Sequence, residues 1–565
     1  MASSNIKPPE ALAAPSGGTK ATTIQMPTRD TSDARGKEDT NIAYPSGLKL
    51  GLILSSTFIS MFLVSLDRTI ITTAIPQISD DFNSGTDIGW YGSAYLLTTC
   101  AFQLLLGKIY SSFSIKNSFL ASVFVFEVGS AVCGAAPNST TFIIGRAIGG
   151  LGGAGITSGV IAVIVHAVPL HKRPLTQGMI GAVFGIASVV GPLLGGAFTS
   201  KVTWRWCFYI NLPFGGVAMA VILFLLKIPD QSASKAPVKE RLAQLDFCGT
   251  MLILPGSICL LLALQWGGPT FAWNDGRIIA LIILAGVLML GFVLVQIFLP
   301  RTATMPPRIF MQRSILAGFF STLCIGSHSM LFTYYLPIWF QAIQGLTAVD
   351  SGIRTLPLVI SLVVASMSSC IFIYRVGYYT PLMIIGVCFM AVGAGMLNTL
   401  QIDTSTAKLI GYQILYGFGL GWVSQVPNLA AQTVLPKPDI PIGTSLMFFS
   451  QLLSGSIFVS VGQNVLDNQL NQRLSSLPGF SPEMIQNSGV TMLTNLTAFT
   501  KETVLIAYNE SLRQVFRVGL ISVCINLLGG LAMEWRSVKK DVTKQEKKSK
   551  ENMATEIEGG ERVAH

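Results

Sequence analysis

Fourteen runs of apolar residues, each long enough to cross a bilayer and poor in charge, constrain this chain more than anything else in it. They lie near residues 48–74, 88–106, 117–136, 141–165, 175–199, 206–226, 245–265, 277–299, 315–339, 353–373, 380–400, 409–432, 442–462 and 514–533. A bilayer offers no water to backbone N–H and C=O groups, so an apolar run of about 20 residues crosses it as a helix. Composition agrees. Half of the 565 residues (50%) are hydrophobic, 12% are charged and the mean hydropathy is +0.57, against about 25% charged residues in soluble domains. The fold class expected is an all-α polytopic membrane protein. The nine cysteines fall in or beside the apolar runs without a CxxC pair, so they read as small apolar residues and not as disulfides or metal ligands.

An even number of spans puts both termini on one side of the membrane. The short loops on that side carry Lys108, Lys116, Lys172, Arg173, Lys227, Lys235, Lys239, Arg241, Arg301, Arg308, Arg313, Arg375 and Lys437, while those on the other carry only Lys201, Arg205, Arg277, Arg354 and Lys408. By the positive-inside rule both termini are cytosolic. The net charge of +10 is therefore a topology signal, and no nucleic-acid partner is expected. Met1–Ser46 is polar and has no apolar core, so it reads as a disordered cytosolic tail and not a cleaved signal peptide. After this 1–46 tail come a six-span half (47–226), a cytosolic linker (227–244), a two-span insert (245–299) and a cytosolic loop (300–314). A second six-span half (315–533), with a long outer segment at 463–513, and a charged tail (534–565) complete the chain. Six plus two plus six is the count of a pseudo-symmetric transporter with an inserted helix pair. The sequons at Asn138, Asn495 and Asn509 all fall in outer segments and are candidate glycosylation sites.

Ionisable groups inside spans are costly and mark function. Among the acids, only Asp67 and Glu127 lie well inside the expected spans; Arg68, Arg146 and His328 are the corresponding basic residues. Burial favours the neutral form of a carboxyl and a nearby arginine favours its charged form. A carboxylate that exchanges arginine, substrate and water during a cycle thus loads and releases a proton, which singles out Asp67, Arg146 and Glu127 for proton coupling. The competing reading has Asp67 and Arg68 snorkel to the outer surface and Arg146 pair structurally. His328, between Ser327 and Ser329, reads as a hydrogen-bonded helix residue before a proton relay.

The run Leu175–Ser200 holds small residues at helical spacing: Gly181, Gly185, Ser188, Pro192 and Gly196, with Gly191 and Gly195 alongside. Such a stripe lets another helix backbone approach closely, and Pro192 invites a bend. Gly185, Gly191, Pro192, Gly195 and Gly196 are expected to form a seam that packs tightly and flexes, with Gly195→Val blocking export and Gly195→Ala mild.

Several stretches carry a family resemblance in order along the chain. Trp204-Arg205-Trp206-Cys207-Phe208-Tyr209-Ile210-Asn211-Leu212-Pro213-Phe214-Gly215 resembles a signature of the fourteen-span drug–proton antiporters of the major facilitator superfamily. So do Leu66-Asp67-Arg68-Thr69-Ile70, the Gly145–Gly152 stretch around Arg146, and Gly191-Pro192-Leu193-Leu194-Gly195-Gly196. In the second half Tyr334–Gln341 and Ser351–Pro357 fit as well. The resemblance covers about residues 48–535 and is closest to fungal efflux pumps for toxins and secondary metabolites. It implies a major facilitator fold, with Arg146 as the span 4 arginine of proton transfer, Asp67 as the acid facing the cavity, and Gly191–Gly196 as the seam biasing the cycle toward export. Gly107, Lys108 and Lys116 match the family's inner loop gate. Many relatives have an aspartate where Ser111 stands, so the latch here must rely on Lys108, Lys116 and hydrogen bonds.

The function expected is a proton-coupled efflux transporter, not an enzyme, exporting amphipathic organic molecules. Its partners are protons, the substrate and the lipid bilayer, and it works as a monomer. It needs no cofactor beyond a proton gradient, and the chain has no GxxxxGK[ST] run for ATP. Arg68, His328, Tyr334, Gln341, Gln425 and Asn428 are candidate cavity groups. The rivals are a proton-coupled importer of a nutrient or siderophore on the same fold, and a non-transporting membrane sensor. The plasma membrane is the expected location, a vacuolar or vesicle membrane the alternative. A protease site inserted near Ser481 should be cleaved on intact cells that display the protein at their surface; cleavage only after permeabilisation contradicts the orientation.

Overall fold

The computed structural model describes residues 45–84, 87–226, 245–268, 271–300, 302–474 and 498–539. Residues 1–44 and 540–565 of the expected tails, the linker 227–244 with its four basic residues, Arg301, and Asn495 with the middle of the outer segment lie outside the described residues. Fourteen long helices follow one another: α1 (Gly47–Phe82), α2 (Ile88–Ser112), α3 (Ile115–Ala135), α4 (Ser139–Ala167), α5 (Arg173–Lys201), α6 (Asn211–Leu225), α7 (Phe247–Trp266), α8 (Gly276–Phe298), α9 (Arg313–Gln344), α10 (Leu356–Val376), α11 (Thr380–Leu397), α12 (Thr406–Val423), α13 (Ile440–Leu474) and α14 (Ala498–Ala532). Twelve segments of the described chain are long and apolar enough to cross a membrane, and α2 and α12 lie where the two remaining spans are expected. The α12 direction continues through a short helix, Val426–Val434, after a break at Ser424–Gln425. Pro427, which has no N–H to donate, sits in the first turn of that continuation.

The outer segment 463–513 is shorter as a loop than its composition suggests. Helix α13 runs on to Leu474 and α14 begins at Ala498. Both extensions are amphipathic: Leu466, Leu470 and Leu474 are buried at four-residue spacing, as are Val504, Tyr508 and Leu512. Hydropathy averaged over a window loses such a stripe, although its period is that of a helix.

The two halves repeat one pattern of neighbours. In the first, α1 packs on α5 and α6, α4 on α2 and α3, and α3 on α6; in the second, α9 packs on α13 and α14, α12 on α10 and α11, and α11 on α14. Contacts between halves are themselves paired, α5 with α10 and α2 with α13. The insert α7–α8 packs on itself and rests through α7 on α2 and α13. It is pinned there by Trp273, whose Nε1 donates to Asn464 Oδ1 at 2.6 Å, and by Ser460, whose hydroxyl donates to the Leu264 carbonyl at 3.2 Å. Each half has its own apolar core, but the first-half core extends into Ile442, Leu446 and Phe449 of α13. The halves are thus welded near the face that bears both ends of the bundle, hereafter the terminal face.

Helix α5 turns its small residues to two different partners. Toward the terminal face a Cβ on Gly178 would lie 2.6 Å from Cys370 Sγ, and one on Gly181 or Gly185 would collide with Ser366 or Val363, all on α10 of the other half. Further along, a Cβ on Gly195 would meet Thr73 and lie 2.6 Å from the Ile70 carbonyl of α1, while Gly191 abuts Thr69 and lies 3.1 Å from Ile70 N. Thr69 donates to the Ala187 carbonyl at 3.0 Å across the same contact. The single seam expected from spacing is therefore two contacts. Gly185 serves the junction between halves, Gly191 and Gly195 the interior of the first half. Pro192 is half-buried, and Gly196 has nothing within 4 Å of its Cβ position.

This geometry revises the expectation for Gly195. A backbone carbonyl cannot step aside as a side chain can, so even alanine is strained there. Gly195→Val should cost on the order of 1–3 kcal/mol or more and lower both melting temperature and folded yield. Gly196→Val, one residue on, should leave both unchanged. Equal losses in the two variants, read by thermal unfolding in detergent, would contradict this packing.

Candidate functional site

The charged centre of the first half is assembled by α4, the most buried membrane helix, 89% of whose apolar window is inside the structure. Its glycines make that depth attainable. Gly145 and Gly152 let α4 lie against Cys133 and Phe126 of α3, Gly129 of α3 makes room in turn for the α4 backbone at Gly149, and Gly150 brings α2 close enough for Thr98 and Thr99 to donate to the Ala147 and Gly150 carbonyls at 2.9 and 3.0 Å. Arg146, on this helix, is 2% exposed. Its Nη1 donates to Asp67 Oδ2 of α1 at 2.5 Å and its Nε to the Tyr91 carbonyl of α2 at 2.9 Å. The guanidinium also lies over the rings of Tyr95 and Phe208, 4.6 and 5.8 Å from their centroids.

Neither charge could stand alone in an apolar interior, where an isolated Asp or Arg costs at least about 2.5–3.5 kcal/mol. Paired, they are covered by edge-to-face aromatics. Phe142 packs on Tyr91, Trp204 and Phe208 with centroids 5.1, 5.7 and 5.3 Å away. Of the alternatives left by the sequence, snorkelling is excluded for Asp67, which is 2% exposed. Arg68 is half-buried beside it.

The stretch Trp204–Gly215 builds the lid over this pair and the wall behind it. Trp204 donates from Nε1 to Asp81 Oδ2 at 2.7 Å. Arg205 donates to the Gly134 and Ala136 carbonyls at 2.9 and 2.8 Å, satisfying the C-terminal end of α3. Asn211 donates to Ser130 at 3.1 Å, tying α6 to α3. One turn later, Gly215 leaves room for the Glu127 carboxyl, which a Cβ there would strike. Glu127 is 8% exposed, and neither of its oxygens has a hydrogen-bond partner. The structure thus brings Asp67 and Arg146 into contact and holds Glu127 apart, on the α3–α6 boundary.

At the terminal face the gate residues divide. A Cβ on Gly107 would strike Ser445 and lie 3.0 Å from the Pro441 carbonyl, so α2 meets α13 there without spare volume. Lys108 Nζ donates to the Ala303 carbonyl at 3.0 Å. Lys116, by contrast, donates to the Leu223 carbonyl at 2.6 Å and so ties α3 to α6 within one half, not half to half. The charge pair between loops is one the sequence does not reveal, Arg308 to Asp439, at 2.6 and 2.9 Å through both guanidinium nitrogens. That pairing holds the Arg308 guanidinium above its ordinary range. Together with Lys108, Ser111, Pro300, Pro306 and Ile442 they line a cavity of about 340 Å³. Behind it Asp246, 2% exposed, caps α7 at Gly249 N and accepts from Gln296 at 2.5 Å and from Thr304 N at 3.1 Å. Asp246 stands at the first residues of an apolar run, and N-cap preference was the signal available for it.

The other candidates scatter. His328 is fully buried, its Nδ1 2.8 Å from the Tyr416 hydroxyl. Tyr334 is exposed, and Gln341 is engaged with Ser351 at 3.2 Å. Gln425 is half-buried, its Nε2 3.6 Å from a Cβ position on Gly181 of α5, and Asn428 is buried. Of the two described sequons, Asn138 is exposed and caps α4. Asn509 is not available to a glycan. It is 4% exposed, accepting from Trp339 Nε1 at 2.7 Å and donating to the Leu400 carbonyl at 3.2 Å.

Comparison with known proteins agrees with this architecture. The chain is 52% identical over 536 residues to an MFS-type transporter of Claviceps purpurea, covering 92% of this chain and 93% of the relative. It is 50% identical over 498 residues to a rubrofusarin-specific efflux pump of Gibberella zeae, covering 88% and 91%. To the efflux pump aflT of Aspergillus parasiticus it is 47% identical over 500 residues, covering 88% and 97%. Among solved structures, the proton:xylose symporter XylE superposes with a TM-score of 0.56 at 14% identity, covering 87% of this chain and 98% of that one, a likeness of fold alone. The family description Major Facilitator Superfamily matches residues 57–459. The chain belongs to the Major Facilitator Superfamily, a multi-pass membrane transporter and not an enzyme.

Proposed function

We propose that this transporter exports neutral or weakly polar amphipathic organic molecules, of the secondary-metabolite kind named for its relatives, in exchange for protons. The efflux direction rests on relatives called efflux pumps at about 50% identity. The proton rests on one observation, the Asp67–Arg146 pair buried between α1 and α4. A carboxylate whose partner is one guanidinium oscillates between two stable states: ionised with arginine in place, or neutral with arginine released to its carbonyl and aromatic contacts. Protonation from the side opposite the terminal face would free Arg146, and substrate or closure would restore the pair. Orientation follows the loop charges, with both termini cytosolic and the plasma membrane as the site.

Arg146 also bonds the Tyr91 carbonyl and two rings, so it keeps a place when Asp67 is neutral. That asymmetry favours Asp67 as the group that carries the proton and Arg146 as the group that sets when it does. Glu127, apart from the pair, is a second carboxyl that a cycle could load.

Asp67→Asn and Arg146→Ala should each abolish uphill export while downhill substrate equilibration by Asp67→Asn persists. Leaving Asp67 buried without its partner should also destabilise Arg146→Ala by about 3–5 kcal/mol, so surface amount must be measured alongside. Arg146→Lys should recover less than its charge suggests, because lysine lacks the planar fork. Transport driven by a pH gradient in vesicles, unchanged in Asp67→Asn, would remove that carboxyl from coupling.

A further inference from the structure

Where the two halves meet near the terminal face, several buried polar groups have nothing to bond. Gln177 of α5 is 1% exposed and Gln432 of the short helix after α12 is 2% exposed; in both, amide oxygen and nitrogen lack a partner. Ser366 Oγ of α10 and Asn428 Oδ1 share that condition, at 0% and 3% exposure. Folded proteins satisfy nearly all such groups, because an orphaned one forfeits its hydration without return.

Their placement is not random. A Cβ on Gly181 would touch Ser366 and lie 3.6 Å from Gln425 Nε2, which fixes one level of the junction. Helix α5 runs away from the terminal face while α12 and its continuation run toward it, and the continuation, seated mainly on α9 and α13, also touches α5. Gln177 is one turn before Gly181, and Asn428 and Gln432 lie one and two turns beyond Gln425. All three therefore fall on the same side of that level, nearer the terminal face. The flanking contact of Gly178 with Cys370 closes the junction tightly.

We propose that Gln177, Ser366, Gln425, Asn428 and Gln432 form a recognition strip for the carried molecule, filled when the halves part at the terminal face. The strip is neutral and offers donors and acceptors together, which suits uncharged molecules bearing hydroxyl and carbonyl groups. Of the basic groups nearby, Arg173 is spent on the Val165 and Val168 carbonyls. In the closed state the strip is idle and costs stability; in the open state it is the first polar surface that a molecule leaving the terminal side meets. The proposal rests on the export reading given above and deepens it.

Gln177→Met, Gln432→Met and the double variant test it in the full-length protein, since methionine keeps glutamine's length without its amide. The double variant should melt at a higher temperature than wild type. In vesicles its apparent KM for a dihydroxyanthraquinone should rise about five- to tenfold, the worth of one or two hydrogen bonds. Maximal rate should stay within about twofold, and unsubstituted anthraquinone should be handled as by wild type. The dihydroxy probe should also raise the melting temperature of wild type more than that of the double variant. A double variant that melts lower, or an equal probe-induced shift in both proteins, would overturn the strip. Failure of wild type to export either probe would count against the export reading instead, and the two melting measurements would still decide the strip.

Discussion

An ion pair that no water reaches is the interaction on which the first half of this transporter is built. Arg146 and Asp67 can be buried only together, and only with α1, α2 and α4 in contact, because the guanidinium needs the carboxylate, the Tyr91 carbonyl and the Tyr95 ring at once. The glycines of α4 exist in that context. They bring the three helices near enough for one side chain to serve them all, and they leave threonine hydroxyls of α2 to bond α4 carbonyls. The loop after α5 completes the arrangement by laying Trp204 and Phe208 over Phe142 and Arg146.

The second half repeats the helix pairing without the charge. Where the first half has Asp67 and Arg146, the second has the His328–Tyr416 contact between α9 and α12, in the corresponding helices of the repeat. Shared architecture thus carries unequal chemistry, a buried ion pair in one half and a histidine–tyrosine contact in the other. They meet closely at the terminal face. There Gly107, Gly178, Gly181 and Gly185 remove side chains from the junction, Ser158 meets Ser445 at 3.0 Å, and the loop after the insert bonds both halves through Ala303 and Arg308.

Much of this was legible in the sequence, and the reasons for the rest are physical. Hydropathy reports contact with lipid, so it located all fourteen helices, and the rarity of buried charge pointed to Asp67 and Arg146. Amphipathic extensions face protein on one side, which is why the ends of α13 and α14 were read as loop. Small-residue spacing shows that a helix is approached closely but not by which neighbour; hence α5 seemed to have one seam, and Gly196, on its open side, was counted in it. The missing acid at Ser111 was visible, but the Arg308–Asp439 pair joins loops 131 residues apart and leaves no local trace. A sequon likewise says nothing of burial, and Asn509 turned out to be a bonded core residue. Gln177 and Gln432 look like ordinary helix residues until their surroundings are known.

On the proposed mechanism the Asp67 carboxyl exchanges a proton as the molecule cycles. Proton release on substrate addition is its most direct measure, followed with a pH indicator in weakly buffered, detergent-solubilised protein where no gradient exists. Wild type should release protons when an exported compound binds, and Asp67→Asn, still binding it, should release none at that step. Release of the same size from both proteins would contradict it.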